Sequence, residues 1–342
     1  MELYGAMKRF ARVAGRILLL VCFAAMVGWG TLAIYYSNLP PRLRPAAAIC
    51  FGAAGLFLDI RGWNNRRARL IFLAAFAALL VWWLLIPPSN SRDWQPDVAV
   101  LPWATIDGNR VTIRNIRNCD YRSETDYTVR HYDKSFDLDK LRSIDLYLVY
   151  WGSSLVAHTM ISFGFEGDDY VCFSIETRKT KGEDYSTVKG FFKQYELTYV
   201  VADERDVVRL RTNYRNEDVY LYRLKARPAI IRSVFLDYLQ EVNRLKEHPA
   251  WYNALTDNCT TNIRQHASPY SPKVRLDWRI LVNGYADEMA YERGLLDQSL
   301  PFPQLKQRSY INDDALAADN DASFSRTIRR GLPGVAEERT FR

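Results

Sequence analysis

The sequence predicts an α+β domain, an antiparallel sheet with packed helices, carried behind N-terminal membrane helices. Three observations predict it: three apolar runs confined to residues 1–89, five aromatic and β-branched runs between 111 and 224, and an amphipathic stretch over 229–246. The chain divides accordingly into an anchor (1–89), an outer domain (90–311) and a polar C-terminal tail (312–342).

The anchor comes first. Its first apolar run, 17–36, is twenty residues without a charge, enough at ~1.5 Å per residue to cross a hydrocarbon core of ~30 Å. The third, 70–86, has Trp82 and Trp83 near its end, where interfacial aromatics sit. The middle run, 45–60, is shorter and carries Asp59, so a re-entrant or interfacial segment is its alternative. Lys and Arg number four before the first run, two in 37–44 and four in 61–69. Placing the richer flanks inside gives three spans, with everything after residue 86 outside. The expectation is a multi-pass membrane protein whose C-terminal domain lies on the outer face. A cleaved signal peptide fits less well, because the run is long and no small-residue cleavage site follows it.

A polar linker, 87–91, leads to the outer domain. Its strands are predicted over 111–116, 144–150, 170–175, 197–201 and 219–224. Glu166-Gly-Asp-Asp169 reads as a hairpin turn rather than a carboxylate metal loop. Apolar residues from Ile230 to Leu245 recur at helical spacing, so 229–246 is a core-facing helix. A second helix is predicted over 279–296, ended by Gly294. From Asn312 the chain turns polar and Ala/Asp-rich, then basic, which predicts a tail at best partly ordered, with Ile328 and Leu332 as candidates to dock it.

Charge excludes one class of function. The chain is +7, but residues 1–89 hold ten Lys and Arg against Glu2 and Asp59, leaving 36 basic and 37 acidic residues in 90–342. A nucleic-acid groove needs the excess on the folded domain, and here it flanks the apolar runs.

Five cysteines and four histidines carry the chemistry. Cys22 and Cys50 sit in apolar runs and read as buried small hydrophobes. Of the outer three, Cys172 lies mid-strand and Cys119 in a polar turn, where a disulfide between two of the three would leave one thiol free. Cys259 follows Thr256-Asp-Asn258, residues that cap helices, and so falls in a first helical turn. Unpaired N–H groups there favour a thiolate, and a nucleophile needs that thiolate. The alternatives are a free surface thiol, or a glycosylation sequon at Asn258-Cys-Thr260. A nucleophilic thiol also needs a base. His266, seven residues on, stands ~10 Å along the helix. His131 lies among charges, and His248 precedes Pro249. His158 follows a strand and a Gly-Ser-Ser turn; alone, it reads as a satisfied core histidine more often than as a base.

Ala157-His158-Thr159, with Asn258-Cys259-Thr260-Thr261 about a hundred residues later, resembles the Lnb-type lipoprotein N-acyltransferase family. More broadly it resembles the circularly permuted papain-like folds of the NlpC and lecithin:retinol acyltransferase kind, in which His precedes Cys. The likeness covers roughly 90–300 and is strongest at Trp94–Asp97, Tyr150–Gly164, Phe173–Arg178, Val201–Arg205 and Trp251–Thr261. The resemblance implies a thiol enzyme in which Cys259 attacks an ester carbonyl, His158 shuttles the proton, and the acyl chain passes to an amine. It implies an orienting third group on the next strand, for which Glu176 is the candidate. Asn258 or Tyr150–Trp151 would join the Cys259 N–H in an oxyanion hole.

The activity so predicted is a membrane-anchored thiol acyltransferase acting on a membrane lipid or lipoprotein, with no cofactor, metal or nucleic acid. Trp94, Trp103, Trp151 and Trp251 are candidates to line an acyl groove, against the alternative that most of them are buried core aromatics. A cysteine peptidase or amidase on cell-wall peptides would use the same two residues, and a non-enzymatic envelope scaffold would need neither.

Overall fold

The three apolar runs fold as three helices, α1 (Glu2–Tyr35), α2 (Arg44–Arg61) and α3 (Arg66–Leu84). The computed structural model describes residues 2–61, 65–270, 277–280 and 282–335. Residues 62–64 of the second basic loop, 281 of the second predicted helix and 336–342 of the predicted tail lie outside them. The chain forms two units: Met1–Pro88 with Ser186–Gln194, and Ser89–Tyr185 with Tyr195–Arg342.

In the first unit glycines set the spacing of the helices. A Cβ on Gly30 (α1) would fall 2.5 Å from the Phe51 ring (α2), and one on Gly55 (α2) would fall 2.7 Å from Val27 (α1). Small residues let helix backbones approach this closely without a hydrophobic drive from water. These pairs run in opposite directions along the two helices, so α1 and α2 are antiparallel. Phe23–Phe72 and Trp29–Phe76 rise together, so α1 and α3 are parallel. Two helices, over Arg9–Tyr35 and Arg66–Leu84, are long and apolar enough to cross a membrane, whereas α2 is apolar only over Arg44–Leu58. The expected third full-length span is therefore not supported, and counting spans no longer fixes which side the outer domain occupies. Cys22 and Cys50, expected to be buried, stand on exposed helix faces because three helices are too few to enclose them. The unit also takes in an excursion from the outer domain, Ser186–Gln194, which contains α4 (Thr187–Gly190).

The second unit is built on one sheet. Its strands are β1 (Trp103–Asp107), β2 (Arg110–Arg117), β5 (His131–Asp137), β6 (Leu141–Tyr150), β7 (Ala157–Phe165), β8 (Asp169–Arg178), β9 (Glu196–Ala202) and β10 (Asp218–Arg223); β3 (Asp120–Tyr121) and β4 (Tyr127–Thr128) pair apart. The order is β1-β2-β9-β8-β7-β6-β10, with β5 also on β2. All pairs are antiparallel except the short β2–β9 contact. Four of the five predicted strands fall within β2, β6, β8 and β9, and the fifth, 219–224, overruns β10 by one residue. The predicted turn joins β7 to β8, with Gly167 and Asp168 in the left-handed region at φ 80° and 57°.

Both faces of the sheet are covered. On one, α6 (Pro228–Glu247) buries Ile231, Val234, Phe235, Tyr238, Leu239, Val242 and Leu245, the stripe the periodicity predicts. On the other, α5 (Glu204–Arg209) packs with chain from beyond residue 311. This corrects the expectation of a polar tail. After α7 (Cys259–Ala267), α8 (Ala286–Glu292) and α9 (Phe302–Arg308), helices α10 (Asn312–Ala318) and α11 (Phe324–Thr327) bury Ala315, Phe324 and Ile328. The buried Arg329 guanidinium bonds Glu204 and Asp145 and stacks 3.5 Å from the Tyr170 ring centroid. The helix predicted over 279–296 is likewise corrected: among the described residues only α8 is α-helical, after short 3-10 turns at Trp278–Ile280 and Asn283–Tyr285.

Candidate active site

Side-chain alternation along β7 sets up the site. Ile161 and Phe163 face the α6 side, and Thr159 bonds Thr260 of α7 at 3.2 Å. Met160 and Ser162 face the opposite side, toward α5. By the same alternation His158 starts on the α5 side, as do Ser174 and Glu176 of β8. The β7–β8 ladder has Met160↔Ser174 as its last pair, two residues short of setting His158 opposite Glu176. At this unpaired end the His158 side chain reaches both the β8 carboxylate and the α7 thiol.

Cys259 is the first residue of α7, as its capping residues predict. Asn258 closes a full capping box with Thr261: its side chain accepts the Thr261 N–H at 3.0 Å, and the Thr261 hydroxyl takes the Asn258 N–H at 2.9 Å.

 The Asn258 amide donates to the Ala254 carbonyl at 2.9 Å, so this side chain is spent on shaping the turn that presents the thiol. Cys259 is buried, and its sulfur lies 3.8 Å from the Thr260 hydroxyl and 3.9 Å from the Asn283 amide.

The electrostatics separate this cysteine from the others. Burial alone raises the Cys259 thiol, but the His158 charge, a hydrogen bond from His158 and the Thr159 N–H outweigh it and draw the thiol down to about 6. Burial in turn lowers His158, and the charges of Glu176 and Cys259 overcome it, raising the imidazole to about 9 against the opposing Arg211. Burial also works against ionised Glu176, yet His158, Arg211 and Ser174 hold its carboxyl well below the usual range. By contrast, burial with Asp206 nearby pushes Cys119 up to about 12, and burial with Glu204 nearby raises Cys172. All three outer cysteines are free thiols. Cys119 packs with Tyr121 and Leu210, and Cys172 packs in the core on the α5 side of the sheet.

Glu176 Oε1 lies 3.2 Å from His158 Nε2 and 2.6 Å from both the Ser174 hydroxyl and the Arg211 guanidinium. Ser174 Oγ is also 2.8 Å from Nε2. With Nε2 held in this way, Nδ1 is the ring nitrogen left for the sulfur. Three partners missed in the sequence complete the site. Ser174 looked like one polar residue in a strand. Arg211 is delivered by a π-helical turn, Leu210–Tyr214, for which the sequence gives no periodic signal. Asn283 donates to Thr260 Oγ1 at 2.7 Å and accepts the Ala157 N–H at 2.9 Å, tying the start of β7 to the start of α7. Its signal was Gly284, a break inside a predicted helix: a Cβ there would fall 2.1 Å from the Ser154 carbonyl.

The remaining candidates lie elsewhere. His266 is held by Asp237 at 2.6 Å and Tyr199 at 2.7 Å. His131 is on β5, and His248 caps α6. Among the four tryptophans considered for an acyl groove, Trp94 is buried under Arg178, and Trp103 packs against Lys246 and Arg114. Trp251 is half-buried beside β9, and Trp151 is exposed. No group of three or more His, Cys, Asp or Glu among the described residues is arranged to hold a metal ion.

Residues 127–284 match the family model of the Lnb N-terminal periplasmic domain. The Lnb-type resemblance is borne out. The matched segment contains Cys259, His158, Glu176 and Asn283 together, so the whole cluster lies within the stretch that resembles that family. No curated protein and no solved structure matches the chain. A periplasmic domain family, together with two helices long and apolar enough to cross a membrane, places the protein at the cell envelope.

Proposed function

We propose that the Lnb-type domain is a thiol acyltransferase tethered to the membrane. It moves an acyl chain from a lipid or a diacylglyceryl lipoprotein to an amine through an acyl-thioester. The observation that carries this reading is the placement of Cys259 at the start of α7 beside a buried His158 that Glu176 and Ser174 hold by its Nε2, a setting that draws the thiol down to about 6 and the imidazole up to about 9. At neutral pH that pair rests as thiolate and imidazolium, the form ready to attack a carbonyl.

The reaction has two halves. The Cys259 sulfur adds to the ester carbonyl, and the charge moves onto the carbonyl oxygen. The Cys259 N–H, in the first turn of α7, and the Asn283 amide are the donors proposed to receive it. As the C–O bond breaks, His158 gives its proton to the departing alkoxide, which leaves as an alcohol. The amine then attacks the thioester, His158 takes its proton, and the C–S bond breaks to restore the thiolate. Glu176, fixed by Arg211 and Ser174, keeps the imidazole oriented and stabilises its charged form. The order of His on a strand and Cys at a helix start supports the permuted papain-like arrangement as part of the same reading. Apolar side chains exposed next to both residues support a lipid substrate: Trp151, Leu155 and Val156 precede His158, and Leu255 precedes Cys259.

The test is incubation of the full chain in detergent with a diacyl lipopeptide and, separately, with muropeptides. Acyl transfer to an amine is expected, abolished in Cys259→Ser and slowed about 10²–10⁴-fold in His158→Ala. Peptide cleavage in place of acyl transfer would overturn the reading in favour of a peptidase.

A further inference from the structure

Ser186–Gln194 leaves the outer domain between β8 and β9 and belongs by its contacts to the helical unit. Lys193 Nζ donates to the carbonyls of Trp83 at 3.0 Å and Leu84 at 2.9 Å, at the C-terminal end of α3, and lies 4.6 Å from the Trp83 ring centroid. A cation on the last carbonyls of a helix complements their partial negative charge. Lys193 does this from a left-handed backbone, φ 52°, which a residue with a side chain rarely adopts. The Phe192 ring stacks on Tyr36 at 5.6 Å and meets Trp29 at 6.3 Å, and the Gln194 amide donates to the Tyr36 carbonyl. The excursion is thus tied to the ends of both α1 and α3. Those ends carry Trp29, Tyr35, Tyr36, Trp82 and Trp83, the aromatic composition of a membrane–water boundary.

Two apolar side chains of the excursion have no such use. Val188 is 46 % and Phe191 40 % exposed. They flank Gly190, directly before the residues anchored on α1 and α3.

We propose that Ser186–Gln194 is a membrane foot of the outer domain, which sets Val188 and Phe191 into the headgroup and upper acyl region of a phospholipid bilayer, about 5–10 Å deep. Its partner is the lipid surface, continuous with the lipid-facing sides of α1 and α3. The foot would give the outer domain a second attachment to the membrane besides the linker after α3. The proposal rests on the reading of α1 and α3 as membrane-embedded, and its test separates the two.

The full chain is reconstituted in phosphatidylcholine vesicles after Cys22, Cys50 and Cys259 are replaced by serine; the remaining Cys119 and Cys172 are buried. A polarity-sensitive NBD label is attached in separate samples to V188C, to F191C and to L73C, the last on an exposed mid-α3 position. The expected result is blue-shifted emission at 188 and 191, quenched most by lipid spin-labelled near the headgroup. L73C should instead be quenched most by lipid labelled near the acyl terminus. Water-like, unquenched emission at both 188 and 191 with L73C quenched overturns the foot and leaves the membrane helices standing. Unquenched emission at all three overturns both. The two foot positions check each other against a local effect of either substitution.

Discussion

Three cysteines of the outer domain share burial and differ in the charges around them. Cys119 faces Asp206 and Cys172 faces Glu204, so both thiols are held up; Cys259 faces the His158 imidazolium and is held down. The alkylation rate of Cys259 by iodoacetamide should therefore rise through a midpoint near pH 6, where the thiolate forms. In His158→Ala the burial penalty stands almost unopposed, so that midpoint should move above the ordinary thiol value; an unmoved midpoint would remove His158 from the site. Acyl transfer also needs a proton on His158, so its pH profile should be a bell between about 6 and about 9. Glu176→Gln removes the charge that raises His158 and should pull the upper limb down. It should slow transfer on the order of tenfold, equivalent to about 1.4 kcal/mol of lost orientation. An unchanged upper limb would deny Glu176 its place.

At the scale of elements, the site depends on how β7, α7 and the 283–285 turn are held together. Asn258→Ala removes the side-chain half of the capping box and the bond to the Ala254 carbonyl, leaves the backbone N–H bond to Thr261, and should cost about 0.5–2 kcal/mol in unfolding experiments. Gly284→Ala puts a methyl group against the Ser154 and Leu155 backbone, which has no flexible end to yield. It should cost about 1–3 kcal/mol and lower transfer as well, because Asn283 moves with it. Transfer and melting both unchanged would mean that this turn has no part in the site. These elements were unequally legible in the sequence. The α6 stripe is strictly periodic and α7 is announced by its cap, so both can be read directly. β7 interleaves Ala157, Thr159, Ile161 and Phe163 with His158, Met160 and Ser162 between two covered faces, which blurs the alternation that marks a half-exposed strand. Arg211 and Ser174 are recruited by tertiary packing, and no local pattern marks them. Gly284 reads as a weak point in a helix until Ser154 is seen against it.

At the scale of the whole molecule, the residues after 311 are structural. Arg329 satisfies Glu204 and Asp145, two carboxylates buried on the α5 side of the sheet, while Tyr147 and Ser162 also bond Glu204. The basic, Ala/Asp-rich composition looked like a solvated tail because the acidic partners of Arg329 lie more than a hundred residues earlier in the chain. Arg329→Met would leave buried Glu204 with hydroxyl partners but no cation and Asp145 with Arg223 alone, and should destabilise the outer domain by about 3–5 kcal/mol, read as a fall in its melting temperature. An unchanged melting temperature would return this segment to the status of a tail. The same separation in sequence conceals the site, since His158 and Cys259 become neighbours only once α7 is set on the sheet. The account as a whole turns on a covalent step at that junction. The direct measurement is intact-protein mass spectrometry of the full chain after exposure to an ester-linked diacyl lipopeptide without an amine acceptor. One added acyl mass is expected, mapped to Cys259, released by hydroxylamine and absent in Cys259→Ser. No adduct on Cys259 under conditions where iodoacetamide labels it would rule out the acyl-thioester.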